Sequence, residues 1–417
     1  YDRIVKMIEE SEKLKSTAED RASRLADRLV PYTLGGTALT YLLTRNVTKT
    51  LSVLMVDFSC ALKLAIPIAV LSAMRECSGH HISVKGGRFM EAVAQADTIV
   101  FDKTGTLTYA TPRVAEIVPF GGRDPQEMLR LAACLEEHYP HSMANAVVAE
   151  AKRLGLDHKE YHSQVEYVVA HGISSSVEDK KVIIGSAHFV FEDEGCVVPE
   201  GEEEKFNALP EEYSHLYLCI AGRLAAVICI ADPLRKEAKS AIEALHACGI
   251  SKVVMMTGDN RKTAQAVARE VGVDQFFAEV LPEDKANFVR QEKAAGRKVI
   301  MIGDGVNDTP ALSEADVGIA INTGAAIARE IADVTIASED LFELVTLRQL
   351  SQQLMRRIHR NYRFIVSFNC MLIALGVAGV IQPTTSALLH NASTLGISLD
   401  SMTDLLKKEQ PSEKQDV

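Results

Sequence analysis

Three loops rich in aspartate, glycine and threonine hold the residues of this sequence best suited to chemistry. They are DKTGTLT at positions 102–108, TGDN at 257–260 and GDGVND at 303–308, and each directly follows a short apolar run. Parallel strands deliver their C-terminal loops to one edge of a sheet, so the three loops are expected to meet there. A carboxylate at that edge can attack a γ-phosphate and form an aspartyl phosphate, and Asp102 is the predicted nucleophile.

The same loops offer ligands for a transferring phosphoryl group and for Mg²⁺. Thr104 and the neighbouring backbone N–H groups can stabilise the transferring oxygens. Mg²⁺ prefers carboxylate and phosphate oxygens, and Asp304 and Asp308 are expected to meet Asp102 across the crevice. Lys285, in the run PEDK at 282–285, is a candidate charge partner for the phosphate. As an isolated lysine it would count as an ordinary surface residue.

The elements that carry these loops are of two kinds. Around the loops, short apolar runs alternate with helical patterns, which predicts a parallel, doubly wound α/β sheet. Between Thr111 and Ile230 the pattern changes to strand pairs: Val165–Val177 with Lys181–Gly185, and Leu216–Ile220 with Leu224–Ile230. An antiparallel α+β insert within an α/β domain accounts for both patterns.

Four apolar stretches lie outside this charged middle segment. They are Val30–Leu43, Leu51–Met74, Phe364–Ile381 and Thr384–Leu399. Each is judged against the requirement of about 20 apolar residues for a membrane crossing, and the alternative is a buried helix of a soluble protein. Arginine and lysine residues flank the middle segment, so the positive-inside rule predicts that it is cytoplasmic.

Composition limits the classes of function. The chain has 417 residues, which predicts two or three domains, and its net charge of -11 argues against a nucleic-acid-binding protein. The eight cysteines contain no CxxC pair, so neither a zinc ribbon nor a disulfide framework is indicated.

At the three loops the sequence resembles the P-type ATPases. In that family DKTGTLT carries the phosphorylated aspartate, TGDN and GDGVND complete the phosphorylation domain, and DPLR at 232–235 resembles the hinge motif. The resemblance extends from about Val30 to Leu399. It implies a haloacid-dehalogenase-like (Rossmann-like) phosphorylation domain with an inserted nucleotide-binding domain, plus transmembrane helices, and it implies ATP and Mg²⁺ as cofactors.

The resemblance also implies roles for individual residues and boundaries for the domains. The catalytic residues would be Asp102, Lys103, Thr104, Thr257, Lys285 and Asn307, and the magnesium ligands Asp102, Thr104, Asp304 and Asp308. The expected segments are a linker helix from a missing actuator domain (1–29), a membrane helix pair (30–84), the phosphorylation domain in two parts (85–111 and 231–345), the nucleotide-binding domain (112–230), a second membrane pair (346–400) and a polar tail (401–417).

One residue separates this family from phosphatases that share its fold. Those phosphatases carry a second aspartate two residues after the nucleophile, and it serves as the acid/base that hydrolyses the intermediate. Here that position is Thr104. The phosphoenzyme is therefore expected to persist, which favours a pump over a soluble phosphatase.

The insert resembles the nucleotide-binding domain of the heavy-metal (class IB) branch. By this resemblance the nucleotide-binding residues are His141, His171, Gly172, Gly185, Gly258 and Asp259. Ser142 and Ala170 depart from the His-Pro and Gly-x-Gly patterns of the branch. The alternative for the two histidines is therefore that of ordinary surface residues.

The membrane stretches provide candidate ligands for a transported metal. Ser-Cys-Ala at 59–61 occupies the place of the branch's Cys-Pro-Cys motif, and Asp57, Cys60 and Pro67 would share one helix face. Cys60, His390, Asn391 and Ser393 are the predicted ligands. A mixed S/N/O site suits a divalent ion such as Zn²⁺, Mn²⁺ or Co²⁺ better than Cu⁺. The set resembles a manganese/zinc exporter subgroup.

The expected protein is thus an N-terminally truncated metal exporter. It would be a monomer in the cell membrane, crossing it several times in contact with lipid, with cytoplasmic catalytic domains and no nucleic-acid partner. One alternative is a P-type ATPase for another cation, which would carry carboxylate- and carbonyl-rich membrane motifs. The other is a soluble phosphatase of the same fold or an inactive metal-binding module.

Overall fold

The computed structural model describes residues 17–56, 58–109, 111–137, 142–156, 166–168, 172–177, 180–210, 213–303, 308–321, 330–338 and 340–406. The helices are, in chain order, α1 (Thr17–Thr44), α2 (Val47–Leu54), α3 (Phe58–Gly79), α4 (Gly87–Gln95), α5 (Pro125–Glu136), α6 (Ser142–Arg153), α7 (Glu203–Asn207), α8 (Ala238–Ala247), α9 (Arg261–Val271), α10 (Pro282–Ala294), α11 (Thr309–Glu314), α12 (Phe342–Ala378) and α13 (Pro383–Ser401). The strands are β1 (Ile82–Val84), β2 (Thr98–Asp102), β3 (Arg113–Pro119), β4 (Glu166–Val168), β5 (Gly172–Val177), β6 (Lys180–Gly185), β7 (Ser214–Ile220), β8 (Arg223–Ala231), β9 (Lys252–Met256), β10 (Gln275–Phe277), β11 (Val299–Gly303), β12 (Val317–Ile321) and β13 (Val334–Ile336).

The central sheet confirms the predicted α/β architecture. Its strand order is β1-β13-β12-β11-β2-β9-β10, and every neighbouring pair is parallel except the edge pair β1–β13. β2 lies between β11 and β9, with Phe101 opposite Ile302 and Asp102 opposite Met256. The carboxyl ends of these three strands therefore meet at one edge, as parallel pairing requires.

Alternate residues of the central strands serve two cores. Ile99 and Phe101 belong to a buried cluster that also contains residues of α3, α4, α8 and α12. Val100 points to the other face and packs with Val289 of α10 and Leu312 of α11. The period of two follows from strand geometry, and it gives β2 apolar neighbours on both sides.

The insert forms a second, antiparallel sheet with the order β3-β8-β7-β6-β5-β4. The predicted β7–β8 hairpin is present, with Ala221 and Gly222 at positive φ of 50° and 77° in its turn. The prediction of one strand over Val165–Val177 is wrong. That segment contains two short strands, β4 and β5, which pair antiparallel with Glu166 opposite Ser174.

The two chain segments that connect the insert to the central sheet are joined to each other. Thr108 and Leu234 form an isolated antiparallel bridge, and the Tyr109 N–H donates to the Pro233 carbonyl at 3.1 Å. Arg235 is 2% exposed; its backbone N–H donates to the Leu107 carbonyl at 2.9 Å, and its Nε donates to the Thr106 carbonyl at 2.8 Å. The chain segments that leave and re-enter the central sheet are therefore bound together.

The helices outside the two sheets differ from the four predicted membrane stretches. The prediction of one continuous stretch over Leu51–Met74 is wrong, because α2 ends at Leu54 and α3 begins at Phe58. α1 runs without a break through the predicted boundary at residues 29–30 and contains Pro31. Among the helices of the described segments, α12 alone is long and apolar enough to cross a membrane.

α12 links the central sheet to the other helices. Its buried residues recur every three or four positions from Leu344 to Gly376, so one face is covered along the whole helix. Arg348 donates to the Val93 carbonyl of α4, and a Cβ on Gly376 would lie 2.5 Å from the Cβ of Ser52 in α2. The absence of a side chain at Gly376 thus permits close packing of α12 against α2.

Candidate active site

Asp102 lies at the carboxyl end of β2 and is 7% exposed. The following turn, Lys103–Leu107, is interrupted by extended backbone at Thr104 and by Gly105 at φ 73°. Residues with a side chain rarely adopt that angle, so the glycine allows the chain to turn here. The turn is closed by Thr108, whose Oγ1 accepts a hydrogen bond of 3.0 Å from the Gly105 N–H.

A buried ammonium group joins Asp102 to Asp308. Lys285 Nζ donates to Asp102 Oδ1 at 2.5 Å and to Asp308 Oδ1 at 2.7 Å. The side chains of Lys285, Asp102 and Asp308 are only 7%, 10% and 3% exposed. Burial acts to lower the pKa of Lys285, but attraction to the two carboxylates outweighs it and the pKa is raised.

This triad places a fixed positive charge between two carboxylates, one of which is the predicted nucleophile. The ammonium stabilises the ionised form of Asp102, which is the form that can attack phosphorus. The structure therefore brings together three of the residues predicted from separate loops.

Two other predicted residues of the GDGVND loop, Asp304 and Asn307, lie outside the described residues. A Cβ on Gly303 would come within 2.6 Å of Asp308 Oδ2, so the glycine makes room for the Asp308 carboxylate at the strand end. Asp102 and Asp308 supply hard oxygen donors of the kind Mg²⁺ prefers, and this donor set suits the ion. The described segments contain no cluster of three or more His, Cys, Asp or Glu side chains that could hold a metal.

Lys103 does not point to Asp102; it belongs to a second buried network. Its Nζ contacts Asp259 Oδ2 at 2.5 Å and lies 4.0 Å from Asp232 Oδ2. Thr257 Oγ1 donates to the same Asp259 oxygen at 2.8 Å, and Ser214 Oγ donates to Oδ1 at 3.0 Å. Burial acts to raise the pKa of Asp259, but Lys103 and the hydroxyl donors lower it overall.

The network joins the hinge, the TGDN loop and the insert. Ser214 begins β7 of the insert, whereas Asp259 follows β9 of the central sheet. The Asp232 side chain is 10% exposed and lies 4.0 Å from Lys103 Nζ, and its partial burial raises its pKa. Neither Ser214 nor Asp232 was identified as a site residue from the sequence, because only their contacts across the hinge reveal them.

A cavity of about 840 Å³ opens between the insert and the central sheet. Four of the six predicted nucleotide-binding residues line it, namely Gly172, Gly185, Gly258 and Asp259. The other two, His141 and His171, lie outside the described residues. The volume is within the usual range of small-molecule sites, about 300–1,000 Å³.

The cavity wall also contains residues that the sequence did not point to. Glu136, Met143, Phe191, Phe206, His215 and Tyr217 are among them. A Cβ on Gly172 would lie 2.5 Å from both the Ile184 carbonyl oxygen and the Phe189 ring. That glycine is therefore required by the packing of β5 against β6, independently of any ligand.

The predicted ligands of a transported metal lie on α3 and α13. His390 is 4% exposed, and its Nδ1 is 3.1 Å from Asn369 Oδ1 of α12. Ser393 Oγ donates to the His390 carbonyl at 2.8 Å, whereas Asn391 is exposed. Cys60 is also exposed, and Asp57 lies outside the described residues. The structure thus places His390 in contact with Asn369. A closed metal site that also contains Cys60 remains a prediction.

Comparison with known proteins gives a matching family and several similar metal-exporting ATPases. The haloacid dehalogenase-like hydrolase family matches residues 96–316. The chain is 32% identical over 403 residues to a zinc-exporting P-type ATPase of Mycobacterium marinum, covering 96% of this chain and 55% of that protein. It is 33% identical to a manganese-exporting P-type ATPase of Mycobacterium bovis, covering 96% and 56%. It is 34% identical to a probable copper-exporting P-type ATPase V of Mycobacterium tuberculosis, covering 96% and 53%.

A solved structure is similar as well. The crystal structure of a zinc-transporting PIB-type ATPase in the E2.Pi state superposes with a TM-score of 0.71 at 28% identity, covering 96% of this chain and 66% of that one. The chain spans about half the length of the curated relatives it matches.

Proposed function

Because the chain belongs to the haloacid dehalogenase-like hydrolases and, by its relatives, to the P-type ATPases, we propose that it contains the catalytic domains and membrane helices of an ATP-driven metal exporter. The observation that carries this proposal is the buried contact of Lys285 with both Asp102 and Asp308 at 2.5 and 2.7 Å. A nucleophile, a positive charge and a second carboxylate at one sheet edge are what phosphoryl transfer to aspartate requires.

In the proposed reaction an Asp102 oxygen attacks the γ-phosphorus of ATP. A bond forms between that oxygen and phosphorus while the bond to the β–γ bridging oxygen breaks, and ADP leaves with the electron pair. Lys285 balances the charge of the transferred group. Mg²⁺, held by Asp102 and Asp308 with Thr104 and Asp304 as further candidates, would neutralise phosphate oxygens when bound.

Persistence of the aspartyl phosphate favours a pump over a phosphatase. Position 104 carries a threonine in extended conformation, which cannot act as the acid/base that a second aspartate supplies in phosphatases. Hydrolysis of the intermediate then depends on groups other than the residue two positions after Asp102. This delay allows the phosphorylated state to drive a change of conformation before it decays.

The proposed cargo is a divalent transition metal, Zn²⁺, Mn²⁺ or Co²⁺. Support comes from the nitrogen and oxygen character of the buried His390–Asn369 pair and from the thiol of Cys60. The proposed location is the cell membrane, crossed several times by a monomer in contact with lipid, with the two sheets in the cytoplasm. The apolar length of α12 and the exposed apolar side chains of α13, such as Leu388 at 70%, support the membrane contact.

The first test is covalent labelling of Asp102. Incubation with γ-labelled ATP and Mg²⁺ should give a label that hydroxylamine removes, because an acyl phosphate is cleaved by that nucleophile. Asp102→Asn should abolish the label, whereas Asp193→Asn, at an exposed carboxylate of the insert, should keep it. A label that resists hydroxylamine or survives in Asp102→Asn would refute the proposed chemistry.

The second test concerns the metal. In the complete transporter, Cys60→Ala should abolish the stimulation of ATPase activity by each of Zn²⁺, Mn²⁺ and Co²⁺. Cys248→Ala, at the C-terminal end of α8, should leave that stimulation intact. Phosphorylation of Asp102 by inorganic phosphate should survive in Cys60→Ala, because that reaction occurs at the edge of the central sheet and a metal-free state favours it. Normal stimulation in Cys60→Ala would mean that nitrogen and oxygen ligands alone hold the ion.

A further inference from the structure

The chain segment that follows α13 is bound to the last turns of α3. Glu76 accepts two backbone hydrogen bonds from it, because the Leu405 nitrogen lies 2.7 Å from Oε2 and the Leu406 nitrogen 2.9 Å from Oε1. One turn earlier on α3, Ser72 Oγ donates to the Met402 carbonyl at 3.1 Å. Both oxygens of one half-buried carboxylate are thus used to hold two successive N–H groups of this segment.

Arg357 of α12 binds the same segment. Its Nη1 donates to the Thr403 carbonyl at 2.6 Å, and its Nη2 donates to Thr403 Oγ1 and to the Asp404 carbonyl, both at 3.1 Å. These acceptors follow the C-terminal end of α13 directly, where a cationic side chain is favoured. We call Glu76, Arg357 and the segment 402–406 the C-terminal clamp.

The C-terminal clamp is continuous with the buried core. One turn beyond Arg357, Asn361 Nδ2 donates to Ser401 Oγ at 2.9 Å, and these two residues are 4% and 0% exposed. Leu405 and Leu406 pack on the apolar cluster that contains residues of α3, α12 and α13. The clamp therefore ties these three helices to one another.

Each of the three helices also carries a residue of the candidate metal site. Cys60 precedes Glu76 by 16 positions on α3, and Asn369 follows Arg357 by 12 positions on α12. His390 precedes the last residue of α13 by 11 positions. At 1.5 Å per residue these separations are about 24, 18 and 17 Å along the helices. The clamp thus joins the helices at a similar distance from the candidate metal ligands on each.

Beyond the clamp, α3 and α12 lead to the central sheet. α3 ends at Gly79 and is followed by β1, α4 and then β2, which carries Asp102. α12 extends in the other direction to Arg348, which donates to the Val93 carbonyl of α4. A displacement of these helices can therefore reach the edge of the sheet through packed and hydrogen-bonded elements.

We propose that Glu76 and Arg357 are positioning residues, which transmit metal occupancy to Asp102 by holding α3, α12 and α13 together at the C-terminal clamp. This rests on the proposed function, in which the metal binds among these helices and Asp102 is phosphorylated. Bound metal opposes phosphorylation of Asp102 by inorganic phosphate, since a metal-free state favours that reaction. When the clamp is released, the metal and the phosphate should act independently of each other.

The experiment measures labelling of Asp102 by inorganic phosphate in the complete transporter, with and without each of Zn²⁺, Mn²⁺ and Co²⁺. In wild type, a saturating metal should raise the phosphate concentration for half-maximal labelling by about 5- to 150-fold. In Glu76→Gln this increase should fall below about 2-fold, because a glutamine offers one oxygen to two N–H groups. Arg357→Gln should show the same loss, and the double variant no further loss, since both residues hold one segment.

Two further measurements separate transmission from damage to the protein. Equilibrium dialysis should give the same number of bound metal ions in Glu76→Gln as in wild type. Maximal labelling at saturating phosphate without metal should also be unchanged, which shows that the central domain is folded.

Arg75→Gln is the matched control. Arg75 is the neighbour of Glu76 and pairs with Asp404 of the same segment at 2.7 Å, but the two side chains are 64% and 44% exposed. An exposed pair contributes little, so this variant should keep most of the metal effect.

Three results would overturn the proposal: a normal metal effect in Glu76→Gln, loss of bound metal in parallel with that effect, or a loss in Arg75→Gln as large as in Glu76→Gln. A wild-type protein that binds metal without any change in labelling would also overturn it. Wild-type protein that binds none of the three ions, or is not labelled at all, would instead refute the proposed function.

Discussion

Replacing Lys285 by methionine tests the charge balance at the sheet edge. The substitution keeps most of the apolar stem but removes the ammonium from between Asp102 and Asp308. Both carboxylates are at least nine-tenths buried, at 10% and 3% exposure, so solvent cannot replace the lost partner. Leaving a buried charge without its partner costs about 3–5 kcal/mol, against 0–1 kcal/mol for an exposed pair.

The contribution of Lys285 to the stability of the folded protein depends on pH with a defined sign. The pKa of Lys285 is raised in the folded state, so its contribution is fully present below the unfolded pKa of about 10.4 and is lost only as pH rises through the folded value. Wild-type stability at neutral pH is therefore insensitive to this group.

Thermal unfolding of the full chain at pH 7 measures the effect. At about 2–4 °C per kcal/mol, the melting transition of the central domain should fall by roughly 6–20 °C. Adding Asp308→Asn to Lys285→Met should recover much of the loss, because one of the two facing charges is then gone. Lys298→Met is the control, since its contact with Asp316 at 3.2 Å involves a half-exposed lysine. If Lys285→Met is no less stable than Lys298→Met, the triad does not contain the opposed charges inferred here.

Two further substitutions test the neighbouring geometry. Asp259→Asn removes the charge that faces the 4%-exposed Lys103 side chain and should destabilise the protein at pH 7. The pKa of Asp259 is lowered on folding, so its contribution to stability is present above the unfolded pKa of about 3.9 and is lost as the pH falls. The denaturation curves of variant and wild type should therefore converge in acid. A gap that does not narrow would contradict that sign. Gly303→Ala places a Cβ 2.6 Å from Asp308 Oδ2 and should displace that carboxylate. The Mg²⁺ concentration needed for half-maximal labelling of Asp102 should then rise. An unchanged Mg²⁺ dependence would mean that Asp308 is not a ligand.

The sequence was sufficient to predict the central sheet and the meeting of its loops. Apolar runs ending in Gly- and Asp-rich loops identify parallel strands, and parallel pairing alone brings Asp102 and Asp308 to one edge. Lys285 was harder to predict, because a lysine near the N-terminus of a helix is usually exposed. The sequence made it a candidate charge partner for the phosphate, the family resemblance supported that role, and its 7% exposure could be seen only in the structure. The roles of these residues in phosphoryl transfer remain predictions.

Other features were not readable because they depend on contacts between distant segments. Lys103 directly follows Asp102, yet its partner is Asp259, 156 positions away in the chain, because the extended backbone of Asp102 turns the next side chain to the other side. Apolar composition alone could not reveal the break between α2 and α3, where Met55 caps the end of α2. Likewise, Asn369 meets His390 only through the packing of α12 on α13.

The bridge between Thr108 and Leu234 has an evolutionary consequence. Antiparallel partners of this kind lie about 5 Å apart at Cα, so the entry and exit points of the insert are separated by little more than one residue. A loop of a few residues from Tyr109 to Pro233 could replace the whole insert without rethreading any strand of the central sheet. Recombination could therefore exchange the insert as a cassette while the hydrogen bonds of Arg235 to Thr106 and Leu107 are retained at its attachment point. Transplanting the insert of a distant relative at these two positions is a direct way to ask which properties of the enzyme are inherited with the cassette.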